Sequence, residues 1–246
     1  MLNNKTKKTM EKAKMTKTQV FNVIILDKSG SMESIRKAAI DGFNETLNGI
    51  KKAQEKYAET QEQLVTLVTF CNCEKMLVYD NLPVTEAKAL TVNDYQPCCG
   101  TPLYDAMGFT LTSMRKHVKE IDDAVVVVTI ITDGEENSSR EYSGKAIKEL
   151  VEQLRAEGWS FTYMGANQDS VEVAISLSIR NARNFECSDE GVQKSWEREA
   201  NTRSNFYARL HESRMEQGSI NVDSAVCKAN YAAMADEAFD EEESKG

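Results

Sequence analysis

Two short apolar runs, each ending on an aspartate, most constrain how this chain can fold. Residues 20–26 read V-F-N-V-I-I-L and stop at Asp27, and the most apolar run of the chain, residues 124–132, stops at Asp133. Runs that are apolar at nearly every position are typical of strands covered on both faces, because a strand with one solvent face alternates apolar and polar residues. The two runs therefore predict central strands of a parallel sheet.

Amphipathic segments lie between the strand-like runs. Apolar residues recur every three or four positions from about 35 to 57, which predicts a helix with one buried face. Similar patterns predict helices over about 101–119, 143–157 and 169–178, and strands over 159–164 and 183–187. Thr101 before Pro102 is typical of a capped helix start, and Asp169 with Glu172 resembles a capping box.

The predicted sheet has one antiparallel member. The strand-like segments 64–70 and 75–79 are separated by so few residues that they can pair only as a hairpin. Elsewhere strands alternate with helices, which favours parallel pairing. The sequence thus predicts an α/β, doubly wound (Rossmann-like), mostly parallel sheet with one antiparallel edge strand and helices on both faces.

The composition bounds the class of protein. The 246 residues are 41% hydrophobic and 28% charged, which is ordinary for a folded globular chain. A net charge of -9 argues against a nucleic-acid binder, because a phosphate-reading surface needs clustered Lys and Arg. No apolar run approaches the roughly 18 residues of a membrane span, and the basic start lacks the apolar stretch of a secretory signal. We therefore expect a cytoplasmic protein with no nucleic-acid or membrane partner.

The six cysteines are expected to be reduced thiols in buried or loop positions, since cytosolic disulfides are rare. They are Cys71, Cys73, Cys98, Cys99, Cys187 and Cys227. The pairs C-x-C and C-C lack the C-x-x-C spacing of zinc or thioredoxin-like sites. A redox-sensitive loop at Cys98 and Cys99 is the alternative, but the sequence offers no partner that would stabilise a thiolate there.

Charge is concentrated at both ends of the chain. The start is rich in lysine, and the segment after Asp236 is acidic, so both ends are expected to be solvated tails. The predicted plan is a flexible basic N-terminal tail over 1–18, an α/β domain over 19–187, a helical C-terminal extension over 188–218 and an acidic C-terminal tail over 219–246.

Three polar clusters carry the chemistry. D-K-S-G-S at 27–31 directly follows the first apolar run, G-T-P at 100–102 precedes a predicted helix, and T-D-G at 132–134 directly follows the central run. Ligands of open parallel sheets bind beyond the carboxyl ends of the strands, so we expect the clusters to meet at one edge. The candidate metal ligands are Asp27, Ser29, Ser31, Thr101 and Asp133.

These five side chains form a hard oxygen donor set of two carboxylates and three hydroxyls. Such a set suits Mg²⁺, with Mn²⁺ or Ca²⁺ possible. Two carboxylates only balance the charge of a divalent ion, so the ion would stay electrophilic and could take an anionic oxygen from another molecule.

The three clusters resemble the metal-ion-dependent adhesion site of von Willebrand factor A domains, in the family's order and over roughly residues 18–187. The resemblance implies that Ser29, Ser31 and Thr101 are direct or switchable ligands, and that Asp27 and Asp133 act directly or through water. It also implies a protein partner that supplies a Glu or Asp carboxylate to the metal. The segment G-A-N-Q-D at 165–169 further resembles the bacterial intracellular branch of the family.

Three functions follow from these features. The first is a non-enzymatic, metal-dependent protein-binding module. The second is a Mg²⁺-dependent phosphoryl-transfer enzyme. Residue 29 argues against it, because it is a serine where a haloacid-dehalogenase-like phosphatase has its second aspartate. No G-x-x-x-x-G-K-[ST] or G-x-S-x-G motif supports catalysis either. The third is a regulatory or adaptor subunit of an intracellular multiprotein complex.

Carboxylates beside the clusters have two interpretations each. Glu135 and Glu136 either tune the metal or are ordinary solvated residues. Asp105 either orients a ligand from behind or is a first-turn carboxylate favoured by the helix dipole.

Overall fold

A computed structural model describes residues 17–73, 75–166, 170–217 and 225–245. The strands are β1 Thr18–Asp27, β2 Gln61–Phe70, β3 Lys75–Pro83, β4 Ala124–Thr132, β5 Ser160–Ala166 and β6 Asn181–Phe185. The helices are α1 Arg36–Lys56, α2 Leu103–Val118, α3 Gly144–Ala156, α4 Ser170–Ser176, α5 Asp189–Gln217 and α6 Ala225–Glu243, with a 3-10 helix at Gly30–Ile35.

The strands form one sheet in the order β3-β2-β1-β4-β5-β6. All neighbouring pairs are parallel except β2 and β3, which pair antiparallel at the edge. The predicted fold class is therefore confirmed. β1 lies between β2 and β4, so the two apolar runs of the sequence are neighbours at the centre of the sheet.

The side chains of β1 alternate between two cores. Ile24 and Leu26 pack in the core under α1, α5 and α6, whereas Val23 and Ile25 pack in the core under α2, α3 and α4. A strand covered on both faces needs apolar residues in both phases, which is why the run at 20–26 shows almost no alternation.

α5, which covers the predicted helical extension, docks on the sheet through close packing and a buried ionic network. Gly42 of α1 permits the approach, because a Cβ there would lie 2.0 Å from Cδ1 of Trp196. Glu199, which is 1% exposed, pairs with Arg183 at 3.0 Å and with Arg203 at 3.1 Å. Both arginines are themselves buried, so these three charges depend on one another for their stability.

The prediction of a solvated acidic tail is wrong for residues 225–243, which form α6. Tyr231 and Ala238 of α6 are buried in the same core as β1. The acidic residues that suggested a tail pair with basic side chains of other elements, as Glu237 does with Arg209 of α5 at 2.6 Å. Those partners are distant in sequence, so the local charge pattern resembles a solvated segment.

Of the predicted helix starts and chain ends, one differs from the structure and others lie outside the described residues. Pro102, not Thr101, is the N-cap of α2, and side chains of the loop after β4, those of Glu136 and Ser139, accept from N–H groups of its first turn. The capping box at Asp169 lies outside the described residues, as do residues 1–16 of the predicted basic tail, and β1 already begins at Thr18. Within the described ranges, no helix has the length and apolar character needed to cross a membrane.

Candidate metal site

The five candidate ligands lie together at one edge of the sheet. They are Asp27 at the end of β1, Ser29 and Ser31 in the turn after it, Thr101 in the loop before α2, and Asp133 directly after β4. Because β1 and β4 are parallel neighbours, their carboxyl ends emerge side by side. The structure thus brings the three sequence clusters together, while metal binding by them stays a prediction.

The three hydroxyls surround a small space above Gly134. A Cβ placed on Gly134 would lie 2.9 Å from Thr101 Oγ1, 3.4 Å from Ser31 Oγ and 3.7 Å from Ser29 Oγ. The two serine oxygens are 3.1 Å apart. Glycine at this position leaves room into which three oxygens project, and a side chain there would fill it.

Hydrogen bonds hold both carboxylates in place. Ser31 Oγ donates to Asp133 Oδ1 at 2.6 Å. Asp27 Oδ1 accepts from the backbone N–H of Ser29 at 2.7 Å, and Asp27 Oδ2 accepts from the hydroxyl of Thr132 at 2.6 Å. Asp133 is thereby bonded to a candidate hydroxyl, and Asp27 is held by the backbone of Ser29 and by Thr132, which is not one of the five candidates.

Both carboxylates lie where ionisation is costly. Burial raises the pKa of Asp27 to about 6, although hydrogen bonds from Thr132 and Ser29 act in the opposite direction. Burial also raises the pKa of Asp133, despite its hydrogen bond from Ser31. A bound divalent cation would reverse both shifts, because a nearby positive charge favours the ionised form of a carboxyl group.

Asn137 holds the Thr101 loop and was not singled out from the sequence. Its Oδ1 accepts from the backbone N–H of Thr101 at 2.9 Å, and its own N–H donates to the carbonyl of Thr101 at 3.1 Å. The loop after β4 therefore positions the hydroxyl of a candidate ligand that lies 36 residues away in sequence. The sequence offers no signal for this contact beyond the position of Asn137 shortly after Asp133.

Glu136 is a structural residue of the same loop. Its carboxylate accepts from the N–H groups of Ser138 at 2.8 Å, Ser139 at 2.7 Å and Tyr104 at 2.9 Å. The interpretation of Glu136 as an ordinary solvated residue is therefore wrong, because it joins the loop after β4 to the first turn of α2.

Asp105 anchors the next part of that loop. Its carboxylate accepts from the backbone N–H groups of Arg140 at 2.8 Å, Glu141 at 2.9 Å and Tyr142 at 2.8 Å. Asp105 lies in the first turn of α2, as the helix-dipole interpretation expects, and these three bonds hold residues 140–142 and not a candidate metal ligand.

The turn that carries the serines is tied to the Thr101 loop through backbone groups. The N–H of Gly30 donates to the carbonyl of Cys99 at 3.0 Å, and the N–H of Cys98 donates to the carbonyl of Lys28 at 2.9 Å. Tyr95 adds a hydrogen bond from its hydroxyl to the carbonyl of Asp27 at 2.5 Å. A displacement of either loop would therefore move the other.

The expectation that all six cysteines are reduced is wrong, because Cys73 and Cys99 form a disulfide. The turn after β2 folds across the loop before α2, so residues 26 positions apart in sequence become neighbours. Cys71 and Cys98 lie beside this bond with their sulfurs 3.2 Å apart. The spacing of the cysteines gives no indication of this pairing, and the side chain of Cys227 lies outside the described residues.

No protein-family model matches the sequence, and no curated protein matches it. Solved structures do. A von Willebrand factor type A protein from Catenulispora acidiphila is 16% identical with a TM-score of 0.55, over 76% of this chain and 43% of that one. The pilus adhesin SpaC from Lactobacillus rhamnosus GG, in an open conformation, is 13% identical with a TM-score of 0.55, over 81% of this chain and 31% of that one.

A third similar structure is proximal thread matrix protein 1 from the mussel byssus. It is 14% identical with a TM-score of 0.50, over 75% of this chain and 46% of that one. This chain thus spans less than half the length of each of the three proteins. At such low identities the likeness shows the fold, which is that of the von Willebrand factor A domain.

Proposed function

We propose that this chain is a divalent-metal-dependent protein-binding module of the von Willebrand factor A type. The proposed ligands of Mg²⁺, or of Mn²⁺ or Ca²⁺ in its place, are Asp27, Ser29, Ser31, Thr101 and Asp133. The observation that carries the proposal is the space above Gly134, into which three hydroxyl oxygens project beside the buried carboxylate of Asp27 and the half-buried one of Asp133.

The donor set fits a hard divalent cation. All five side chains offer oxygen, and Mg²⁺ prefers carboxylates, hydroxyls and water over nitrogen or sulfur. The raised pKa values of Asp27, which is buried, and of Asp133, which is half-buried, are a second sign of fit, since the desolvation cost of each carboxylate is offset by a cation.

The same donor set favours an acidic partner. When bound, a divalent ion would supply an electrophilic coordination position for a carboxylate oxygen. The three hydroxyls are neutral, so they leave that position more electron-poor than five carboxylates would. Ser31 and Asp133 lie at the accessible side of the site, where a Glu or Asp side chain of another protein could approach.

We propose a binding role and not catalysis. Residue 29 is a serine whose hydroxyl contacts Ser31, so the second aspartate of a haloacid-dehalogenase-like phosphatase is missing. The fold relative SpaC is a pilus adhesin, which is an analogy at the level of fold. The cytoplasmic, intracellular location stays a prediction, and the Cys73–Cys99 disulfide weighs against it.

The experiment is affinity capture from native lysate, in Mg²⁺ and in EDTA. The immobilised proteins are the wild type, Asp133→Asn and the matched control Asp41→Asn, whose carboxylate lies on the exposed surface of α1. We expect a partner that binds the wild type and Asp41→Asn in Mg²⁺, and that binds neither Asp133→Asn nor any sample in EDTA.

Two results would overturn the proposal. The first is a partner whose binding survives both EDTA and Asp133→Asn. The second is Mg²⁺-dependent hydrolysis of a phosphate monoester that disappears in Asp133→Asn, which would establish the phosphoryl-transfer alternative.

A further inference from the structure

Four sulfur atoms meet beside the oxygen site, and the proposed function makes no use of them. Cys71 and Cys73 lie directly after β2, and Cys98 and Cys99 lie directly before Thr101. The sulfurs of Cys71, Cys73 and Cys98 all lie within 4.8 Å of one another, and Cys99 is bonded to Cys73. Two loops that are separate in sequence therefore each contribute two sulfurs to one cluster.

We propose that this cluster, once the Cys73–Cys99 bond is reduced, is a four-thiolate site for a soft divalent ion of the Zn²⁺ class. Zinc in structural sites takes four ligands in a tetrahedron with Zn–S distances of about 2.3 Å, which places the sulfurs about 3.8 Å from one another. The observed Cys71–Cys98 separation of 3.2 Å and the 4.8 Å limit of the cluster bracket that spacing. These distances concern three of the sulfurs, and the fourth, that of Cys99, is bonded to Cys73 and would separate from it on reduction.

The surroundings suit a metal that enters from solvent. Cys71 is buried, Cys98 is half-buried, and Cys73 and Cys99 are exposed. Cys71 and Cys73 line a groove of about 540 Å³, to which Arg140 also contributes. The groove gives the metal an entry path. The positive charge of Arg140 offsets part of the negative charge of four thiolates.

Metal binding requires that the Cys73–Cys99 disulfide first be reduced, and a dithiol can serve as the reductant. The dithiol gives two electrons and two protons to the Cys73–Cys99 bond, becomes a disulfide itself, and leaves two cysteine thiols. Binding of Zn²⁺ by the four thiols then forms four Zn–S bonds and releases four protons to solvent. In an oxidising compartment the cluster would hold the disulfide, and in a reducing one it would hold the metal.

The thiolate site is independent of the proposed oxygen site in its chemistry. Thiolates select soft ions, whereas carboxylates and hydroxyls suit Mg²⁺. The two are joined through the backbone, since the carbonyl of Cys99 accepts a hydrogen bond from Gly30 and Cys99 precedes Thr101 by two residues. A metal in the cluster would link the turn after β2 to the Thr101 loop, as the disulfide does.

The experiment is a Co²⁺ titration of the full chain, reduced under nitrogen with a phosphine. The phosphine takes up oxygen from water as it reduces the disulfide. Thiolate-bound cobalt has sulfur-to-metal charge-transfer bands in the near ultraviolet, which oxygen ligands do not produce. We expect these bands to saturate at one Co²⁺ per chain and to disappear when Zn²⁺ is added.

Four variants assign the bands. Cys71→Ser and Cys98→Ser should each weaken the bands by about a quarter, because one of four metal–sulfur bonds is lost, and should lower the affinity for Co²⁺. Cys187→Ser and Asp27→Ala should keep them, because Cys187 lies outside the cluster and Asp27 belongs to the oxygen site. The two proposals can therefore fail separately. Mg²⁺ binding and its loss in Asp27→Ala test the oxygen site, and the charge-transfer bands test the thiolate site.

Several outcomes would overturn the thiolate site. One is reduced wild-type protein that takes up Co²⁺ without charge-transfer bands, a result that does not depend on how any variant folds. The others are bands that keep their wild-type intensity in both Cys71→Ser and Cys98→Ser, and bands that disappear in Cys187→Ser.

Discussion

Asn137 holds the backbone of Thr101 from both directions, accepting from its N–H at 2.9 Å and donating to its carbonyl at 3.1 Å. Only the first of these bonds uses the side chain of Asn137. The residue therefore positions a proposed metal ligand without being one.

Asn137→Ala should lower the affinity for Mg²⁺ by about tenfold, because residues that orient metal ligands from behind contribute about 10- to 100-fold to affinity. Isothermal titration calorimetry measures the change. Asn48→Ala, at an exposed position of α1, is the matched control and should bind as the wild type does. Equal affinities of Asn137→Ala and the wild type would show that Thr101 is held without this contact.

Asp27 should make the metal-free protein less stable as the pH rises. Its pKa is about 6 in the folded chain and 3.8 in the unfolded one, so the folded state binds more protons between these values. The free energy of unfolding in EDTA should therefore fall by about 3 kcal/mol in total, from about pH 3 to about pH 7, through this group alone.

Asp27→Asn removes this group and isolates its contribution. The variant keeps an acceptor for the N–H of Ser29, and Thr132 can donate to the carbonyl of Gly134 at 3.1 Å instead. Urea unfolding in EDTA should show Asp27→Asn to be more stable than the wild type at pH 7, with this pH-dependent difference vanishing near about pH 3. A wild type that is the more stable protein at pH 7 in EDTA would contradict the burial of an ionised carboxylate.

Glu199→Gln should destabilise the fold by about 3 kcal/mol, because it leaves the buried charges of Arg183 and Arg203 without their shared partner. Chemical denaturation measures the loss. Glu197→Gln, on the exposed side of the same helix, should change stability by less than about 0.5 kcal/mol. A small loss at residue 199 would mean that the arginines find other partners or water.

Phe239→Ala should also destabilise the chain, and so tests whether α6 is part of the fold. Phe239 is 6% exposed, and the guanidinium carbon of Arg183 lies 4.4 Å from the centre of its ring. Loss of a buried phenylalanine costs about 3–5 kcal/mol, whereas Met215→Ala, at a side chain that is 55% exposed, should cost little. Equal midpoints of thermal unfolding for the two variants would show that α6 does not stabilise the fold.

The sheet and the meeting of the three clusters could be predicted because their signals are local. The run at 124–132 is apolar in both phases, and a parallel sheet brings the residue after such a strand to the same edge as Asp27. The hairpin of β2 and β3 follows from a connection too short for a crossover.

The parts that could not be predicted depend on contacts between residues distant in sequence. Asn137 reaches Thr101, Cys73 reaches Cys99, and Arg209 pairs with Glu237, and none of these pairs has a periodic or spaced signature. Thr101 is the instructive case. A hydroxyl before Pro102 is an ordinary helix cap, yet the structure gives the cap to Pro102 and directs the hydroxyl to the space above Gly134.

Mg²⁺ binding, measured by calorimetry at pH 7.5 with the wild type, Asp133→Asn and Asp41→Asn, tests the central claim most directly. Magnesium is chosen because thiolates do not compete for it. We predict one Mg²⁺ per chain for the wild type and for Asp41→Asn, and no measurable binding for Asp133→Asn, with all three folded by circular dichroism. Absence of Mg²⁺ binding in the wild type, or equal binding in the wild type and Asp133→Asn, would contradict a metal site at this edge of the sheet.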